Sequence, residues 1–250
     1  MKERRNAIVE MVNAQGSVSF SQLKAAFPEV SEMTLRMDLK ALDEQHLLVR
    51  IHGGAKSIQV AVGTDDLLGR RTQRNAEEKA LIAQKALGLL HNNMSFYLDS
   101  GSSGTALARV LPDAPYLIYT NSLSCALELA RLDQAEIFMP GGALNRYSLS
   151  LCGSESLRAL ENVNFDLLFL GVTGYSAETG FSCGVCEENR LKQLVLRRAE
   201  KVAVLMDSSK LGLKSTFTTC GLGEVDMILS DGHLPEDFLE ECRQKGVAVY

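Results

Sequence analysis

The chain has 250 residues, 46 % of them hydrophobic and 23 % charged, enough for one large globular domain or two unequal ones. Six Cys, five Pro and no Trp exclude a disulfide-dense miniprotein, a collagen-like repeat and a Pro-rich linker protein. No apolar run reaches the roughly 18–20 residues that cross a bilayer. The segment behind Lys2-Glu3-Arg4-Arg5 has no signal-peptide core, so a cytoplasmic protein with reduced thiols and no membrane contact is expected.

The net charge of −5 hides an asymmetry. Residues 1–56 carry eight Lys/Arg against seven Asp/Glu, whereas residues 57–250 carry eighteen against twenty-four. A slightly basic small piece on an acidic large one is compatible with a DNA-binding head on a body that binds something else.

The first periodic stretch, residues 4–13, places Ile8, Val9, Met11 and Val12 on one side and predicts a helix that stops at Gln15-Gly16. Ser19-Phe20-Ser21-Gln22 has the form of a capping box and opens a second helix, which Pro28 ends. Ser31 caps a third helix with Leu35, Leu39 and Leu42 as its buried seam. Two short helices joined by a tight turn, the second capped and longer, form the helix-turn-helix pattern.

At about 100° per residue, the side of the third helix opposite its seam presents Met33, Arg36, Met37 and Lys40, with Glu32 at the edge. Ser31 and Thr34 complete its N-terminal end. Such a face suits a major groove, with Arg36 on a guanine edge or phosphate and Lys40 on phosphate. A solvated bundle helix is the plain alternative. The β-prone run 47–51 and the turn His52-Gly53-Gly54-Ala55 then predict a hairpin wing that carries Arg50 and His52 to the phosphate backbone.

Together these motifs resemble the winged helix-turn-helix of the DeoR family of bacterial transcriptional regulators. The residues that carry the likeness are Glu3-Arg4-Arg5, Gly16-Ser17-Val18-Ser19, Val30-Ser31, Thr34-Leu35-Arg36, Asp38-Leu39, Leu42 and Arg50-Ile51-His52-Gly53-Gly54-Ala55. The chain departs from that pattern at Met37, where a second Arg is usual, and in the turn 27–31, which is one residue longer. The resemblance implies operator DNA as a partner.

Periodicity fades over residues 57–75, read here as the connection between a head of residues 1–56 and a body of residues 76–250. A short helical turn is expected at Leu67-Leu68, with Arg70 and Arg71 either touching DNA or, as the safer reading, bracing the two parts. Beyond it, strand-like runs at 95–98, 116–119, 137–139, 167–170, 202–205 and 227–229 alternate with helical segments at 76–90, 106–111, 124–132, 154–160, 190–198 and 236–245. This alternation predicts an α/β domain with a mainly parallel sheet covered on both faces, so ligands are sought at the carboxyl ends of the strands.

The run 99–104, Asp99-Ser100-Gly101-Ser102-Ser103-Gly104, suits an anion, because Gly permits close approach and a helix N-terminus adds partial positive charge. It lacks the spacings of an ATP P-loop and of a dinucleotide site, so no nucleotide cofactor is expected. A Gly/Ser helix cap is the structural alternative. Thr120-Asn121-Ser122, Gly141-Gly142, Gly171 and Asp207-Ser208-Ser209-Lys210 follow the next strands. Lys210 is the candidate counter-charge for a phosphate, or else an ion-pair partner of Asp207. Asp99 and Glu188 are candidate acceptors for sugar hydroxyls.

These loops, with Glu188 four residues before Lys192, also resemble the DeoR-family sensor domain, which is similar in fold to sugar-phosphate isomerases. The resemblance covers about residues 76–231 and implies a phosphorylated sugar as effector. The resulting expectation is a repressor of a carbohydrate-utilisation operon, working as a homodimer or homotetramer. The alternative is an isomerase or deaminase with an accessory head, whose general base would be Asp99, Glu188 or Asp207. Cys183-x-x-Cys186 lacks a nearby second pair and the four His lack ligand spacing, so no metal is expected.

Overall fold

The computed structural model of the chain describes residues 2–45, 47–51, 53–57 and 68–250. It divides into two compact units, Met1–Asp66 and Leu67–Tyr250.

In the first unit, α1 (Lys2–Gln15), α2 (Phe20–Ala26) and α3 (Glu32–Glu44) enclose a small core of Ile8, Val12, Val18, Leu23, Leu35, Leu39, Leu42, Leu48 and Ala55. The capping box forms as read: Ser19 Oγ accepts from Gln22 N (3.2 Å) and Gln22 Oε1 from Ser19 N (2.8 Å). Ser31 Oγ likewise accepts from Thr34 N (3.1 Å) and starts α3. Lys24 Nζ donates to the carbonyls of Pro28 (2.9 Å) and Val30 (2.7 Å), which fixes the long turn between the two helices.

A three-stranded antiparallel sheet completes this unit, β1 (Ser17–Ser19) beside β3 (Gly54–Lys56) beside β2 (Val49–Ile51). The last two strands are the expected wing. At Gly54 the backbone of β3 lies so close to β1 that a Cβ would stand 2.2 Å from the Val18 carbonyl oxygen. Asp38, on the buried side of α3, accepts from Arg4 Nε (2.6 Å) and Arg5 Nε (2.8 Å), pinning α3 to α1. His52 lies outside the described residues.

The second unit opens with α4 (Leu68–Gln73) and α5 (Ala76–Leu87). Its centre is a seven-stranded parallel sheet in which β4 (Ser95–Leu98), β5 (Leu117–Tyr119) and β6 (Glu136–Phe138) run to one edge. On the other side of β4 lie β9 (Phe165–Gly171), β12 (Ala199–Leu205), β14 (Met227–Leu229) and β15 (Ala248–Val249). Side chains alternate across the sheet with the period of two that strands impose. Tyr97, Leu168, Leu170, Val202 and Val204 enter one core layer, while Phe96, Leu98, Leu167, Phe169, Ala203 and Leu205 enter the other.

The covering helices are α6 (Ser102–Val110), α7 (Leu123–Leu129), α8 (Ser154–Leu160), α9 (Cys186–Arg198) and α10 (Glu236–Gln244). All six expected strands are present. The expected loop 99–104 ends at Gly101, the N-cap of α6, whose first turn holds Ser102, Ser103 and Gly104. The helix expected from residue 190 begins at Cys186, with Glu188 in its first turn.

Two antiparallel additions were not anticipated from the sequence. One is the hairpin β7 (Ala143–Asn145) with β8 (Ser150–Cys152). The other is a small sheet of β10 (Gly174–Ser176), β11 (Gly180–Cys183) and β13 (Phe217–Cys220). Among the described residues no helix is long and apolar enough to cross a membrane.

Candidate functional site

In the first unit the exposed face of α3 carries the side chains expected there. Leu35, Leu39 and Leu42 are buried, while Met33 is 71 % and Met37 59 % exposed. Arg36 lies over the Phe20 ring, 4.3 Å from its centroid, and 3.8 Å from a Glu32 oxygen. Stacking on Phe20 holds the guanidinium at the junction of α2 and α3, leaving its outer edge to solvent. Lys40 stands 3.8 Å from Glu44, and both are well exposed.

Ser31 and Thr34 share a hydroxyl hydrogen bond of 2.8 Å within the cap. The exposed Arg50 is fixed by its backbone amide, which donates to Asp43 Oδ1 (3.0 Å). Asp38 feels burial, which would raise its pKa, but Arg4 and Arg5 outweigh it and hold the carboxyl below the ordinary carboxylate range. The frame behind the exposed face is therefore charged and locked.

In the second unit, the adjacent strands β12, β9 and β4 lead into Asp207, Gly171 and Asp99. The buried Asp99 carboxylate pairs with Lys192 Nζ from α9, and its Oδ2 also accepts from Gly171 N (2.9 Å). Lys192 Nζ donates further to the Gly171 carbonyl (2.9 Å). Burial pushes the Asp99 carboxyl above its ordinary value, although Lys192 pulls it down. Burial would also lower the Lys192 amine, but the Asp99 charge wins and raises it.

Asp207, 1 % exposed, stands 3.9 Å from Lys210 and accepts from Asn75 Nδ2 (2.9 Å) and from Ser209 Oγ. Burial would raise its pKa; Lys210 leads the groups that lower it instead. The Lys210 amine is depressed by burial, then by Arg71 and Lys192, against the pull of Asp207. The buried Lys79 is held at about 8, by burial first and by Lys210 second. Three ammonium groups thus gather around two carboxylates.

Beside them α6 begins. Its first-turn amides have no intrahelical acceptor, its N-cap supplies no side-chain bond, and Ser103 Oγ is buried without a partner. A side chain at Gly104 would place its Cβ 2.4 Å from the Asp99 carbonyl oxygen, so glycine is what lets α6 start this close to β4.

The other expected residues have different immediate roles. Thr120 Oγ1 accepts from Ser122 N (3.1 Å), Ser122 Oγ caps α7 at Cys125 N (3.2 Å), and Asn121 Nδ2 donates to the Leu151 carbonyl (3.1 Å). Asn121 Oδ1 is buried without a partner. Gly141 and Gly142 follow the edge strand β6, where the Gly141 carbonyl accepts from Ser156 Oγ (2.5 Å). Glu188 Oε1 accepts from Asn145 Nδ2 (3.0 Å), Ser150 Oγ (2.9 Å) and Ser148 Oγ, so it holds the β7–β8 hairpin.

Sequence reasoning passed over Lys79 and Lys192 as site residues. A signal existed for both. Lys79 is in phase with the buried Ile82, Ala83 and Ala86, and Lys192 with Asn189 and Val195, each a cation on a seam that otherwise turns inward.

Comparison with known proteins places these features in a family. The ribose 5-phosphate isomerase A of Methanocaldococcus jannaschii covers 56 % of each chain at 18 % identity, with a TM-score of 0.42. The HTH-type transcriptional regulator GlpR of Haloferax volcanii is 35 % identical over 248 residues, 99 % of this chain and 96 % of the relative. The glycerol-3-phosphate regulon repressor of Escherichia coli is 30 % identical over 239 residues, 95 % of this chain and 94 % of the relative. Residues 4–60 match the DeoR-like helix-turn-helix domain and residues 74–232 the DeoR C terminal sensor domain. The chain belongs to the DeoR family of helix-turn-helix transcriptional regulators.

Proposed function

We propose that this protein represses a carbohydrate-utilisation operon and that a phosphorylated sugar relieves the repression. The observation that carries the effector reading is the charge balance at the ends of β4, β9 and β12. Lys192 pairs with Asp99 and Lys210 with Asp207 there, and the buried Lys79, bonded to the Arg71 and Arg74 carbonyls, adds a third ammonium; the open N-terminus of α6 follows Asp99. Buried cations in excess of their partners are costly, and a phosphate monoester supplies the missing negative charge and acceptors for the α6 amides. A glycerol-3-phosphate regulon repressor among the relatives supports an effector of this kind.

Binding without turnover is the better reading of the same site. Asp99 and Asp207 already hold ammonium groups and Glu188 holds three donors, which leaves none of them placed as a general base. On the first unit, Arg36, Lys40 and Arg50 contact DNA, and Met33 and Met37 touch base edges; Ser31, Glu32, Thr34 and His52 complete this interface. A homodimer or homotetramer presents paired heads to two half-sites, multiplying the affinity of a weakly basic head. The test is a mobility shift on the DNA upstream of its own operon, titrated with a panel of sugar phosphates. Retarded DNA that one sugar phosphate releases is expected; no specific shift at low salt would refute the reading.

A further inference from the structure

Helix α4 directly follows residues 58–67 in the chain; the β7–β8 hairpin holds its start and Lys79 of the effector site holds its end. At its start, Leu68 N donates to the Tyr147 carbonyl (2.8 Å), between the strands of the hairpin that Glu188 holds. At its end, Lys79 Nζ donates to the carbonyls of Arg71 (2.9 Å) and Arg74. Those are terminal carbonyls, which a helix cannot satisfy internally.

Asn75 adds a second tie. It stands at the N-cap of α5, where an Asn side chain normally accepts from the first-turn amides. Here it makes no cap bond. Its backbone takes φ 51°, a left-handed conformation that Asn tolerates. Its side chain turns away from α5 and donates to Asp207 Oδ1 (2.9 Å) and Ser209 Oγ (2.8 Å), more than 130 residues along the chain.

We propose that Asn75 and Lys79 are positioning residues that convert anion binding at Lys210 into release of α4, the first helix after the connection to the DNA-binding head. The proposal rests on the effector reading above. An anion at Lys210 stands beside the Asp207 carboxylate and repels it, which weakens the bond from Asn75. The same anion draws the Lys79 ammonium away from the Arg71 and Arg74 carbonyls. Both movements loosen the same end of α4, so an occupied site no longer fixes where the connection to the head begins.

Hydrogen–deuterium exchange on the full chain tests this, with inorganic phosphate compared against chloride at equal ionic strength. In the natural chain, phosphate slows exchange over residues 102–105 and speeds it over residues 68–74 by about tenfold, the scale of one hydrogen bond to a charged group. Asn75→Gly keeps the left-handed backbone and removes the side chain. In that variant phosphate still slows residues 102–105, but residues 68–74 are already faster and phosphate adds only the smaller share carried by Lys79. Asn75→Asp, which sets a second carboxylate against Asp207, behaves the same way. Slowing at 102–105 with no change at 68–74 in the natural chain overturns the coupling and leaves the binding site standing. So does an Asn75→Gly chain that responds like the natural one. No slowing at 102–105 removes the binding site and the coupling with it.

Discussion

Lys192 and Asp99 meet in the interior of the second unit, 93 residues apart in sequence and both almost wholly buried. Removing one member of such a pair leaves a charge in a medium that solvates it poorly. Lys192→Met is expected to destabilise this unit by about 3–5 kcal/mol. All six tyrosines lie in the second unit, so tyrosine fluorescence during urea unfolding reports on it alone. The double change Lys192→Met with Asp99→Leu should recover much of the loss, because no lone charge remains.

Lys210 tests the proposed effector site. Lys210→Ala should weaken effector binding by about ten- to a hundredfold, the scale of a charge-assisted contact to phosphate. Calorimetry with the sugar phosphate that releases operator DNA measures this. An unchanged affinity would remove Lys210 from the site.

Lys79 makes the stability of the second unit depend on alkaline pH. Its folded pKa of about 8 lies below its ordinary 10.5, so between those values the unfolded chain holds a proton that the folded chain has released. Stability therefore rises with pH across that window, and below it the buried charge costs the fold in full. Lys210 and the buried thiols titrate over the same range, so the readout is the gap in tyrosine-detected urea midpoint between Lys79→Met and the natural chain. That gap should be smaller at about pH 9.5 than at about pH 7.5.

Asp38 gives the first unit a dependence of the same sign, in the acid range. Its folded pKa is lowered, so its contribution is complete above the ordinary carboxylate range and fades as pH falls through it. Asp38→Asn should cost about 1–3 kcal/mol at neutral pH and flatten the acid limb, read from amide exchange in α1 and α3.

On DNA, Arg36 and Lys40 should separate. Arg36→Ala is expected to cost about 1–3 kcal/mol and to relax preference at one base pair, whereas Lys40→Ala weakens all sequences alike and lowers the salt slope by about one. Equilibrium binding at several salt concentrations distinguishes them. Equal losses on every sequence for Arg36→Ala would make it a phosphate contact.

Local grammar made much of this fold legible. Ser19 with Gln22 and Ser31 before α3 announce helix starts because a cap acts within four residues, and the six apolar runs announce the parallel strands. The site was legible as loops and strand ends but not as chemistry. Asp99 read as a free acceptor, yet its partner Lys192 lies on another element, and Asn75, the last residue of the segment read as a connection, shows nothing along the chain of its bond to Asp207. Such pairings are decided by the stacking of strands in space, which spacing along a single chain does not record. The hairpin that holds Glu188 was missed for another reason: β7 is largely exposed and shows no alternation.

The tight fit of Gly54 against Val18 has a consequence for how this regulator can change its target. Any side chain at residue 54 would lift the wing from β1 and tilt it, so that position is closed to mutational drift. Met33 and Met37, unbranched and facing outward, carry no such constraint. If α3 reads the operator as proposed, changes of preference would fall on that helix while the wing keeps its seat on β1.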